Sequence, residues 1–196
     1  MCVMNPRSPT PRRGSKPVTP AHLENVALYY LERFASSSAN LQRVLMRKVK
    51  RSAAMHGTDA QEGEKLVDEI IARYLGAGLL DDRVYAAQKV ASLLRHGTSS
   101  FAIRGKLAVK GVEAEVIDET LGRIDQETGN ADLGAACALV RRRRLGPYRA
   151  AATRPAFHRR DLAILARAGF SFAVARRVIA ARDIEALEAL ARETSE

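Results

Sequence analysis

Leu107-Ala108-Val109-Lys110-Gly111-Val112 returns further along the chain as Leu165-Ala166-Arg167-Ala168-Gly169-Phe170. Five residues past each Gly stands the same residue, Val116 and Val174, and five further on an aliphatic, Leu121 and Ile179. In both copies a helical run stops at a Gly followed by an apolar residue, and a second helical run begins at once. Gly enters the left-handed conformation that closes a helix without a steric penalty. The phrase therefore predicts a repeated helix–Gly–helix unit, a pattern that decides the fold before any other reading.

Around it the chain is helical throughout. Leu23, Val26, Ala27, Tyr30, Leu31 and Phe34 make one apolar stripe at helical spacing. Ser36-Ser37-Ser38 interrupts it and supplies hydroxyls to cap a helix carrying Leu41, Val44, Leu45 and Val49 inward. Val67, Ile70, Ile71, Tyr74 and Leu75 line a third helix that ends near Gly76 and Gly78. Asp81-Asp82 opens the next, where a helix N-terminus favours negative charge. Its expected stripe is Val84, Ala87, Ala91 and Leu94. Thr98-Ser99-Ser100 caps the helix of Ile103 and Leu107, and Ile117, Thr120, Leu121 and Ile124 line the one after Gly111. A third set follows, with Leu133, Ala136, Cys137 and Val140, then Leu162, Leu165 and Ala166, then Phe172, Ala175 and Ile179. No run alternates with period two. The expected fold is all-α: tandem three-helix repeats stacked into an elongated, curved body. The division is a disordered basic tail over 1–19, then repeats over 20–78, 79–126 and 127–196, the last with a C-terminal helix. Five of the seven prolines lie in the first twenty residues, with four basic residues and no acid before residue 20.

The 196 residues carry a net charge of +10, which suits an anionic partner, nucleic acid or an assembly containing it. Aromatic residues make up 5% with no Trp, so a stacking platform for single strands is poorly supplied. No stretch approaches the roughly 18 apolar residues that span a bilayer, and the first twenty lack the apolar core of a secretory signal. Two cysteines, Cys2 in the tail and Cys137 at a core position, form neither a disulfide framework nor a metal cluster, and a reducing cytoplasm is the expected location.

Candidate chemistry is sparse. Asp81 and Asp82 point about 100° apart on a helix, so they cap it and do not converge on one atom. His22, His56, His96 and His158 lack companions at ligand spacing. No cofactor, metal or catalytic set is expected, and the chain reads as a non-enzyme. The basic residues are the functional candidates, in three sets: Arg43, Arg47 and Lys48; Arg95, Arg104, Lys106 and Lys110; and Arg141, Arg142, Arg143 and Arg144. Four consecutive arginines span just over one turn and cannot all face a core. Within a Debye length of about 8 Å they build a positive potential that an acidic or phosphate partner relieves.

Several stretches in order resemble the RecX family of regulatory proteins: Ala27-Leu28-Tyr29-Tyr30-Leu31 with the serine run after it, Gly78-Leu79-Leu80-Asp81-Asp82-Arg83-Val84-Tyr85-Ala86, Leu107 to Val112, and Leu165 to Phe170. The likeness covers roughly residues 22–182. It implies three tandem three-helix repeats and a cytoplasmic, monomeric, non-enzymatic modulator in DNA repair and the SOS response. The implied partner is the RecA recombinase filament on DNA, whose groove the family occupies, inhibiting recombinase, ATPase and coprotease activity; weak contact with single- or double-stranded DNA is compatible with it. The sequence departs from the family where Val49 replaces a Gly and where residues 146–155 carry two prolines. An alternative that the tri-helical units leave open is a direct DNA-binding, helix-turn-helix-like regulator.

Overall fold

The computed structural model describes residues 17–192, and among these there are ten α-helices and no strands. Cys2 and most of the 1–19 tail lie outside the described residues. The first three-helix unit is α1 (Pro20–Leu31), α2 (Ser38–His56) and α3 (Ala60–Gly76). The second is α4 (Asp82–Arg95), α5 (Ser100–Val109) and α6 (Ala114–Thr128), and the third is α7 (Ala131–Arg143), α8 (Arg154–Arg167) and α9 (Phe172–Ile179). A last helix, α10 (Ile184–Arg192), follows, and two short 3-10 turns, Gly146–Tyr148 and Ala151–Thr153, bridge α7 to α8. The all-α fold of three-helix units read from the sequence is the fold observed.

The repeated phrase closes α5 and α8 in the same way. Val112 N–H donates to Leu107 O and Gly111 N–H to Ala108 O, while Phe170 N–H donates to Leu165 O and Gly169 N–H to Ala166 O. Both glycines are left-handed, with φ 78° and 89°, and the apolar residue after each is buried. That is the Schellman closure, in which two otherwise orphaned carbonyls find donors.

These glycines also sit at the joints between units. A methyl group on Gly111 would lie 2.5 Å from the Ala39 Cβ of the first unit, and one on Gly169 would lie 2.7 Å from Ser99 Oγ of the second. The serines complete each joint. Ser37 accepts from Asn40 N–H as the cap of α2 and donates its hydroxyl to Lys110 O at 2.5 Å; Ser99 caps α5 through Ala102 N–H and donates to Ala168 O at 2.6 Å. One residue on, Ser38 N–H and Oγ donate to the Asp82 carboxylate and Ser100 N–H donates to Asp132. Each serine pair thus ties a helix N-terminus of one unit to a helix C-terminus and an acidic residue of the next.

The two joints differ beneath this shared polar clasp. The first unit has its own core around Leu23, Leu41, Leu45 and Val67, whereas one continuous core runs through the second and third units and takes in Leu187 of α10. Val49, which stands where the other units carry the repeat glycine, is buried against α3, where a methyl on Gly63 would come within 2.5 Å of its Cγ1. With no glycine stop at 49, α2 runs on to His56 and closes at left-handed Gly57. The 146–155 linker is held by Asp161, whose carboxylate takes Gly146 N–H and both Nε and Nη2 of Arg149 at 2.8–2.9 Å.

Five expected apolar positions are exposed instead: Leu75 at the end of α3, Ala166 on α8, Val84, Phe34 and Phe172. Helix α4 buries Tyr85, Ala86, Val90 and Leu94, and Val84 is 51% exposed. Packing against α7 as well as its own unit rotates its inner face toward the larger Tyr85. Phe34 lies past the end of α1 and Phe172 at the start of α9, both exposed.

Candidate partner and nucleic-acid interface

Three helix C-termini converge where the second and third units share their core, and arginines mark all three. Helix α4 ends with Arg95, α7 with Arg141, Arg142 and Arg143, and α8 with Arg167. A helix C-terminus carries about half a negative charge, so a cation in the last turn is stabilised there by typically 0.3–1 kcal/mol. Arg95 and Arg141 line one cavity of about 380 Å³, together with Tyr148 and Glu188. Arg142 Nη1 donates to His96 O at 2.6 Å, which fixes the arginine run against the end of α4. Arg143 and Arg167 border a smaller cleft of about 160 Å³. Residues 141 to 144 are all exposed.

Arg144 is the one non-glycine described residue with a left-handed backbone, φ 53°. It closes α7 as Gly97 closes α4: Arg144 N–H donates to Arg141 O and Leu145 N–H to Val140 O. An L-residue there costs of order 1 kcal/mol relative to Gly. The chain keeps an exposed cation where glycine would hold the turn more cheaply, a pattern that accompanies functional constraint. Arg144→Gly is expected to raise the unfolding free energy by about 1 kcal/mol; a denaturant titration showing a loss of stability would contradict this.

The other predicted residues separate into smaller groups. Lys106 and Lys110 line a groove between α4 and α5 with Lys89. Arg104 is paired with Asp118, Nε to Oδ1 at 2.7 Å, with both side chains exposed, so its charge is largely offset. Arg43 donates Nε to Ala39 O and reaches the Gly111 turn, placing it across the first joint beside Lys110. Arg47 and Lys48 are exposed on α2. The structure therefore joins Arg95 to the arginine run and Arg43 to the Lys110 turn, and it diverts Arg104. Arg167 was not among the residues expected from sequence. Its position inside the repeated phrase is the signal that marks it, because that phrase ends a helix at a joint.

Two titratable groups nearby are shifted by their surroundings. Burial pushes the Tyr148 hydroxyl up, with Glu188 adding to it and Arg141 opposing. Burial alone would also raise the Asp161 carboxyl, but its hydrogen bonds from Arg149 and Gly146 hold it below the usual carboxylate range. Both move away from neutrality. Among the described residues no group of three or more His, Cys, Asp or Glu is placed to hold a metal ion, and no helix is long and apolar enough to cross a membrane.

Residues 81–121, which span α4 to the middle of α6, match the family model described as RecX, second three-helix domain. The chain is 44% identical over 170 residues to Regulatory protein RecX of Myxococcus xanthus, an alignment spanning 86% of this chain and 89% of that protein. The chain belongs to the RecX family. Regulatory protein RecX of Agrobacterium fabrum is 32% identical over 166 residues, covering 85% of this chain and 86% of its own length, and that of Mycobacterium ulcerans 34% over 146 residues, covering 71% and 80%. No solved structure matches. Within this RecX-family chain, the Asp81-Asp82 pair that carried part of the resemblance divides its labour. Asp81 caps α4 through Arg83 and Val84 N–H, and Asp82 crosses to Ser38 of the preceding unit.

Proposed function

We propose that this regulatory protein acts on the RecA–DNA filament, lying along it as an elongated monomer in the cytoplasm and inhibiting recombinase, ATPase and coprotease activity without chemistry of its own. Under this reading residues 20–78, 79–126 and 127–196 act as three units, each set against successive parts of a repeating partner. The observation that carries it is the arginine cluster at the second joint. Arg95, Arg141, Arg143, Arg144 and Arg167 are presented on helix ends anchored by a shared core, with Arg144 held in a conformation that disfavours it. A set of guanidiniums carried on helix ends whose backbones are anchored in one core suits phosphates and carboxylates, which they meet bidentately. Arg43, Arg47, Lys48, Lys106 and Lys110 add charge along the rest of the body and strengthen long-range attraction to a polyanion.

The test spares Arg142, because its hydrogen bond to His96 O belongs to the joint. The triple variant Arg141→Glu, Arg143→Glu, Arg144→Glu is expected to need about tenfold or more protein for half-inhibition of RecA-driven strand exchange, with an unchanged circular dichroism spectrum and cooperative melting. Undiminished inhibition by a folded triple variant would remove the arginine cluster from the account.

A further inference from the structure

Helix α5 carries a glycine in its interior that its own packing does not require. Gly105 is exposed, and a methyl group placed on it would meet nothing within 4 Å. Glycine inside a helix costs about 1 kcal/mol against alanine, and the corresponding positions of the other units are Arg43 and Ala163. What Gly105 does border is a groove of about 570 Å³ between α4 and α5. Its walls include Leu93, Ala102 and Val109, the last 71% exposed, and among the described residues its lining charges are Lys89, Lys106 and Lys110 with no acidic one. Lys110 Nζ makes one long contact, 3.4 Å to Asn40 Oδ1, and Lys89 Nζ lies 5.9 Å from the Tyr85 ring centre, so both are loosely held.

We propose that this groove is a docking site for an acidic, amphipathic helix of a protein partner. Ala102, Gly105 and Val109 lie along one face of α5, where the missing side chain lets another helix approach closely. The apolar walls take the partner's leucine-like residues, and the three lysines on the rim meet carboxylates flanking them, the helix-in-groove mode. Nucleic acid fits less well. Among the described residues, the only aromatic lining the groove is Tyr85, which is 5% exposed and offers no face on which a base could stack. This site is distinct from the arginine cluster and does not rest on the proposed filament activity.

The experiment is a fluorescence-anisotropy titration of a labelled 16-residue helical probe, with leucines at i, i+3, i+4 and i+7 and glutamates beside them, into the full chain. A second probe replaces every glutamate with glutamine. Gly105→Leu fills the groove at an exposed helical position and is expected to fold at least as well as the parent. The proposal expects the acidic probe to bind at least about fivefold tighter than the glutamine probe, and Gly105→Leu to weaken it about tenfold or more. Lys106→Glu, which leaves the groove open, should remove the preference for the acidic probe. Equal binding of both probes, or binding unaffected by Gly105→Leu, would overturn the proposal. So would a Gly105→Leu variant that loses affinity for a 15-nucleotide single strand while no peptide binds, since that assigns the groove to nucleic acid.

Discussion

Gly97→Ala is expected to lower the unfolding free energy by about 3 kcal/mol and to uncouple the second and third units. Gly97 is left-handed, φ 74°, and its N–H donates to Leu94 O while Thr98 N–H donates to Leu93 O, closing α4. A methyl there would stand 2.6 Å from the Leu139 amide nitrogen and 2.9 Å from its Cα. Those atoms belong to the backbone of α7, in the middle of the shared core, and cannot swing aside as a flexible side chain would. Two penalties therefore add: the left-handed strain of an L-residue, and the separation of two helices whose packing continues to Val140 and Leu187. The first unit keeps its separate core, so the variant should melt in two steps, the earlier from residues beyond about 80. A single transition with unchanged midpoint would show that the close approach at Gly97 is not a constraint.

Asp161→Asn should cost about 3 kcal/mol, because it leaves the Arg149 guanidinium partly buried without its counter-charge. The Asp161 side chain is 1% exposed and that of Arg149 23%. Stacking of Arg149 over the Phe157 ring, 4.3 Å to its centre, does not replace a bidentate carboxylate. The carboxyl in the folded state lies below its usual range, so the native protein releases that proton at lower pH than the unfolded chain does. Its contribution is present above the unfolded pKa of about 3.9 and is lost as pH falls through the lower folded value. The stability gap between parent and variant should hold from neutrality to about pH 5 and close below it. A gap that widens in acid would contradict this assignment.

How the sequence announces these features differs from one to the next. The glycine phrase is legible because a left-handed stop followed by a buried apolar residue needs particular residue types at fixed offsets, and Gly111 and Gly169 supply them. The serine caps are legible for the same reason: a helix start is a local event. The joints are not. Ser38 meets Asp82, and Ser100 meets Asp132, across a whole unit, so nothing nearby in sequence shows that the second aspartate faces outward to a neighbour. The phase of α4 also escaped, because Val84-Ala87-Ala91-Leu94 and Tyr85-Ala86-Val90-Leu94 both have helical spacing, and only a second packing partner selects between them. Val49 looks like a lapse in the repeat until Gly63 is found making room for it. In the candidate site the arginine run was visible as a charge block; its union with Arg95 and Arg167, and the loss of Arg104 to Asp118, depend on how the helix ends meet.

On the proposed reading, an array of helical units presents cations to a repeating nucleoprotein partner and acts by occupying it. The most direct measurement is RecA ATP hydrolysis on single-stranded DNA as this protein is added at ratios well below one per RecA. If one bound copy blocks more than the protomer it touches, hydrolysis should fall markedly at those ratios, and less with the Arg141, Arg143, Arg144 triple variant. Hydrolysis that declines only near stoichiometric protein, and recovers fully when excess DNA is supplied, would mean that the protein merely competes for the strand, and would contradict that reading.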